Sequence, residues 1–173
     1  MKFIHITDLH LVPPGQKLWG FDPFPRLDQC LADIMKYHAD AEFCAISGDL
    51  TERGEGESYR ALQQRLKAFP LPVHLMLGNH DDRATFLKVF NGPLEGGFVQ
   101  HSLVRDGQHF LFLDTLKGGP SSAGLYDEPR RVWLKAALAK ANGAPVYIFM
   151  HRRLLPKQAG QVLNWLSRFF IPN

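Results

Sequence analysis

The chain has few cysteines, no long apolar run, and no acidic residue beyond position 151; each of these scarcities excludes something. Of its 173 residues only two are cysteine, Cys30 and Cys44. They form no CxxC pair and fall at apolar-patterned positions, which reads as small buried hydrophobes in a reducing compartment. No stretch approaches the ~20 consecutive apolar residues that a membrane span needs. His5, Asp8 and His10 come almost at once, which is incompatible with the apolar centre of a secretory signal, so the expected location is the cytoplasm. There is no GxxxxGK[ST] phosphate loop and no GxSxG serine elbow.

The excess of basic groups is local. The net charge is +3, yet four of the 20 basic residues (Arg152, Arg153, Lys157 and Arg168) follow His151, where no acid occurs. Residues 1–151 therefore balance 16 basic against 17 acidic groups. A surface that tracks nucleic-acid phosphates is not indicated. The oligomeric state is not legible.

What is there is an alternation of strands and helices. Residues 2–7 (KFIHIT), 42–47 (EFCAIS), 73–77 and 146–150 read as short strands. Leu27, Cys30, Leu31, Ile34 and Met35 make the stripe of a half-buried helix. Further helices are expected over 57–68, over 85–90, and after Asp127-Glu128-Pro129, with Asp127 as its cap and Asn142-Gly143 closing it. Residues 98–104 and 109–113 read as a hairpin around Asp106-Gly107. The fold class is α/β: a largely parallel sheet with flanking helices and an antiparallel section near the middle, in one domain.

The chemistry lies where strands end. The first runs into Asp8-Leu9-His10, the second into Gly48-Asp49, the third into Gly78-Asn79-His80-Asp81, and the last into His151. In open α/β sheets that carboxyl edge is where ligands bind. Asp8 and His10, two apart at a strand exit, can face one way and offer oxygen and nitrogen to one ion. Asp49 has two oxygens with which to bridge cations, Asn79 a neutral amide oxygen, and His151 an imidazole. Gly48 and Gly78 let the backbone turn and leave room above. Singly these motifs are common turn and cap chemistry; four in this order, each at a strand end, point to a metal site.

The run DLH, GDL, GNHD and a later lone His resembles the calcineurin-like metallophosphoesterase superfamily. GQKLWGF after DLH and the doubled Asp81-Asp82 are similar to its bacterial branch of glycerophosphodiester and cyclic-nucleotide phosphodiesterases. The resemblance implies a metallophosphoesterase-like sandwich, here truncated, and hydrolysis of a small phosphodiester or cyclic nucleotide. It implies two divalent ions (Fe, Mn, Zn or Co) that generate a bridging hydroxide. Asp8, His10 and Asp49 would hold one, and Asp49, Asn79 and His151 the other. His80 would sit beside the scissile phosphate, with Asn79, as acid or charge stabiliser, oriented by Asp81. Trp19 and Phe21 would wall the substrate pocket, or simply pack their loop.

The motif match covers residues 1–151. The family's Gly-His-x-His motif is absent from these 173 residues, and each ion is one imidazole short. The expectation is one tightly held ion and impaired activity, with residues 152–173 a basic, apolar tail foreign to the core. The alternative is a non-catalytic scaffold or binding module on the same fold.

Overall fold

The computed structural model describes residues 1–92, 94–118 and 124–152; all but the first residue of the basic, apolar tail expected over 152–173 lies outside them. The chain divides into two compact units, residues 1–92 and residues 93–173.

The first unit is a parallel sheet with helices. Strands β1 (Ile4–Ile6), β2 (Cys44–Ile46) and β3 (Val73–Leu75) pair in the order β1-β2-β3, all parallel, with Ile4, Cys44 and Val73 in register. The central β2 is buried throughout, which is why its sequence is an unbroken small apolar run rather than an alternation. Helix α1 (Phe24–His38) buries Phe24, Leu27, Leu31 and Ile34, whereas Cys30 and Met35 of the predicted stripe are only partly buried at its edges. Pro25 sits in its first turn, and Asp22 accepts the Phe24 N–H at 3.0 Å.

Helix α2 (Gly56–Ala68) buries Tyr59, Ala61 and Leu62. Helix α3 (Arg83–Phe90) starts at Asp82, whose carboxylate accepts the Thr85 N–H at 2.8 Å, and ends at Asn91 in the left-handed region. Phe43, Ile46, Leu50, Leu62, Met76, Leu77 and Phe86 are almost wholly excluded from water. Each such side chain contributes roughly 1.5–3 kcal/mol of transfer free energy toward holding the strand ends in place.

The second unit contains the antiparallel section. Strands β4 (His101–Arg105) and β5 (Gln108–Phe112) form the hairpin, and β6 (Val146–Phe149) pairs parallel to β5. Asp106 and Gly107 both have positive φ, as a two-residue type I′ loop requires. The single sheet expected from the sequence is thus two: an all-parallel sheet in the first unit, and in the second a mixed sheet that takes β6, expected among the parallel strands. Helix α4 (Glu128–Ala141) packs Leu134, Ala137 and Leu138 with Leu111, Leu113 and Tyr126.

Asp127 precedes α4 as expected but does not cap it. Its carboxylate takes Nε of the buried Arg130 at 2.9 Å instead, which lowers its pKa. A buried guanidinium demands acceptors more strongly than a helix end does; Arg130 also donates to the carbonyls of Asp114 and Leu116. Among the described residues no helix is long and apolar enough to cross a membrane. Both cysteines are free thiols, and burial pushes Cys44 up to about 12.

Candidate metal centre

The first unit brings the three strand exits together by backbone hydrogen bonds. Asp8 N–H donates to the Gly48 carbonyl at 3.1 Å, His10 N–H to Asp49 at 2.9 Å, and Leu11 N–H to Leu50 at 3.1 Å. The loops after β1 and β2 therefore run side by side. The loop after β3 joins them through the His80 N–H, which donates to Asp49 Oδ1 at 3.0 Å.

Asp8 and His10 do face one site, but strand alternation is not the reason. β1 ends at Ile6, and both residues adopt left-handed backbone, with φ of 58° and 45°. Asp49 does the same at 48°, directly after Gly48 at 106°. Non-glycine residues pay steric energy for that region, and such strain concentrates where side chains must be aimed. Gly78 is required for a different reason: a Cβ there would lie 2.1 Å from Asp49 Oδ1 and 2.3 Å from its backbone nitrogen.

The polar groups converge. His10 Nε2 stands 3.6 Å from Asp8 Oδ1 and 3.7 Å from Asp49 Oδ2. One ligand atom from each of His10, Asp49 and His80 lies within 4.8 Å of the others. Asp49 is buried, whereas the Asp8 side chain is half exposed and accepts Thr7 Oγ1–H at 2.6 Å. Asn79 Oδ1 is buried with no hydrogen-bond partner among the described residues. Asn79 directly precedes His80, whose N–H meets Asp49, and an orphaned amide oxygen in that loop is a group that a divalent cation would satisfy. On that observation the residues fit the metal that the sequence pattern implies. His151 lies in the second unit, partly buried, two residues beyond the end of β6.

Two findings correct or extend the sequence reading. Asp81 does not orient His80. It is buried, and its two oxygens accept the N–H groups of Gly78, Leu50 and Thr51 and the hydroxyls of Thr51 and Tyr59. That arrangement clamps the β3 exit to the β2 exit. Burial raises its carboxyl pKa, against the pull of those donors. Burial likewise raises the Tyr59 phenol.

The residue that orients His80 is Glu52, which the sequence reading missed. Its backbone carbonyl lies 2.8 Å from His80 Nδ1, and its carboxylate lies 2.8 Å from His10 Nδ1. Both acceptors lack protons to give, so each imidazole carries its hydrogen on Nδ1 and turns Nε2 inward. The available signal was an acid three residues past Asp49 in Gly48-Asp49-Leu50-Thr51-Glu52.

Trp19 and Phe21 line a cavity of about 460 Å³ together with Asp8 and His10. They are 82% and 63% exposed, so they do not serve as loop packing.

A family model for calcineurin-like phosphoesterases matches residues 1–168. The chain belongs to that family. It is 39% identical over 155 residues to a probable cyclic nucleotide phosphodiesterase of Rhodopseudomonas palustris, covering 87% of this chain and 57% of the relative. It is 30% identical over 162 residues to the glycerophosphodiester phosphodiesterase GpdQ of Enterobacter lignolyticus, covering 90% and 58%. It is 25% identical over its whole length to the 3′,5′-cyclic adenosine monophosphate phosphodiesterase CpdA of Haemophilus influenzae, covering 61% of that protein. The chain thus spans little more than half the length of these relatives.

Proposed function

We propose that this calcineurin-like phosphoesterase hydrolyses small phosphodiesters in the cytoplasm, with a divalent metal held by Asp8, His10 and Asp49. The observation that carries the reading is the convergence of His10 and Asp49 with His80, whose chain neighbour Asn79 holds a buried amide oxygen without a partner among the described residues. The phosphodiesterase names of the relatives support the diester class.

Bound metal would supply charge neutralisation for the phosphate oxygens and a hydrolytic nucleophile at neutral pH. The protein groups have separable tasks. Asp8 and Asp49 bring the negative charge that holds a cation, and His10 presents Nε2 because Glu52 occupies its Nδ1. Asn79 offers a neutral oxygen that adds a ligand without adding charge. His80 has Nδ1 committed to the Glu52 carbonyl, so Nε2 is the atom that stabilises the phosphate or passes a proton to the leaving oxygen. Asp81 positions Asp49, Asn79 and His80 by fixing the loops after β2 and β3 to each other. The role of His151 as a ligand rests on its place after the last strand in the sequence pattern.

The test is reconstitution of the full chain with Mn²⁺ or Fe²⁺, followed by assay on bis(p-nitrophenyl) phosphate beside p-nitrophenyl phosphate. Diester turnover that depends on metal and vanishes in Asp49→Asn is expected. Metal binding with no hydrolysis of either ester would overturn the enzyme reading in favour of a binding module.

A further inference from the structure

The turn at residues 18–21 is built against the preferences of its own backbone. Leu18 N–H donates to the Phe21 carbonyl at 2.8 Å, and Phe21 N–H returns to Leu18 at 2.9 Å. That leaves a two-residue hairpin loop of Trp19 and Gly20, with φ of 48° and 85°. The chain makes the same kind of loop at Asp106-Gly107, with φ of 48° and 72°. Asp-Gly is what this turn favours, because a short polar side chain tolerates left-handed backbone. At Trp19 the same place is taken by a bulky aromatic residue, for which positive φ is an outlier.

The ring gains no burial in exchange. Trp19 is 82% exposed, and Phe21, at the closing position, is 63% exposed. Both border the cavity of about 460 Å³ that Asp8 and His10 also line. The Arg26 guanidinium lies 5.3 Å from the Phe21 ring centre and borders the same space. A strained backbone holding a solvated indole beside the proposed metal ligands is accounted for by what the indole meets.

We infer that Trp19 and Phe21 form a stacking subsite for a planar aromatic group, the base of a nucleotide or an aryl ring, carried on an ester of the phosphate that reacts at Asp8 and His10. This rests on the phosphodiesterase reading and narrows it: esters carrying a flat ring are selected over aliphatic ones. Flat π faces stack on indole with little demand for hydrogen bonding, which suits a cavity whose walls on this side are apolar. Trp19 is a specificity-determining residue in this scheme.

Trp19→Asn separates the ring from the turn, because asparagine suits the backbone better. The full chain, loaded with Mn²⁺, is assayed on 3′,5′-cyclic AMP, bis(p-nitrophenyl) phosphate and glycerophosphoethanolamine. In the variant, kcat/KM for the aromatic esters should fall about tenfold relative to the aliphatic ester, and Tm should rise by about 2 °C as backbone strain is relieved. Trp19→Phe, which keeps a ring, should hold the ratio within about threefold of the parent. A loss for only one aromatic ester identifies which ring the subsite takes. An unchanged ratio, or a change in oligomeric mass by light scattering in its place, would overturn the inference.

A second readout needs no turnover. Adenosine 5′-monophosphate should quench tryptophan emission of the parent, while glycerol 3-phosphate should not, and the quench should be lost in Trp19→Phe. Quenching that survives this substitution, or that both ligands produce equally, refutes the subsite. Quenching by the nucleotide in a chain that hydrolyses no ester keeps the subsite and removes the enzyme reading.

Discussion

Glu52 and His10 are joined at 2.8 Å between carboxylate and Nδ1, although 42 residues separate them in the chain. A metal-ligating imidazole whose far nitrogen is held by a carboxylate is fixed in tautomer and more basic at Nε2. Glu52→Ala should therefore lower Mn²⁺ affinity by ~10–100-fold, with Glu52→Gln recovering part of the loss by accepting the same N–H. Calorimetric titration of the full chain measures this. Wild-type affinity in Glu52→Ala would show that His10 is not a ligand.

Asp49 and His80 should separate metal binding from turnover. Asp49→Asn should abolish tight Mn²⁺ binding, and diester hydrolysis with it. His80→Ala keeps the backbone N–H that meets Asp49 Oδ1, so the loops and the metal ligands stay in place. Its Mn²⁺ affinity should stay within about threefold while kcat falls about 10²–10⁴-fold. Equal losses of affinity in the two variants would contradict these roles.

Gly78 admits no side chain. With the added carbon 2.1 Å from Asp49 Oδ1, Gly78→Ala must push the loops after β2 and β3 apart. The expected cost is about 1–3 kcal/mol in urea unfolding, with metal binding lost alongside it. An alanine variant that folds and binds metal normally would show that these loops approach less closely than described.

Asp81 is a structural clamp, and its removal is predicted to act through stability. Asp81→Ala strands three buried N–H groups and the Tyr59 hydroxyl at once. A loss of about 3 kcal/mol or more is expected, since each stranded donor alone costs about 1–3 kcal/mol. Asp81→Asn, which keeps one accepting oxygen, should lose less. Unchanged urea midpoints would refute the clamp.

Asp82 gives a pH signature. Hydrogen bonds from Thr85 at the start of α3 hold its carboxyl below the usual range. A depressed native pKa means the cap's stabilisation is complete above the unfolded value of about 4 and is lost as pH falls through the native one. Asp82→Ala should cost about 1 kcal/mol at pH 7, and the difference between variant and parent should shrink below about pH 4. A difference that is the same at pH 3 and pH 7 would exclude this account.

The sequence by itself determined the elements and the ligand candidates, because those signals are local. The Leu27–Ile34 stripe, the apolar run of β2, Asp106-Gly107 and the polar residues after each strand all act within a few positions of where they stand. Periodicity and turn chemistry are properties of short segments, so they are legible without knowing what lies across the fold. Only the tertiary structure decided how those polar residues are used. Asp81 looked like a partner for its neighbour His80, yet its hydrogen bonds run to Leu50 and Thr51, about 30 positions earlier. Asp127 looked like a cap and was claimed by a buried arginine. Glu52 carried no motif, and for Trp19 pocket wall and loop packing stood side by side until its positive φ and exposure were seen together. A carboxylate bonds to whichever donors folding leaves without water. That choice depends on distances between segments, which no spacing along the chain records.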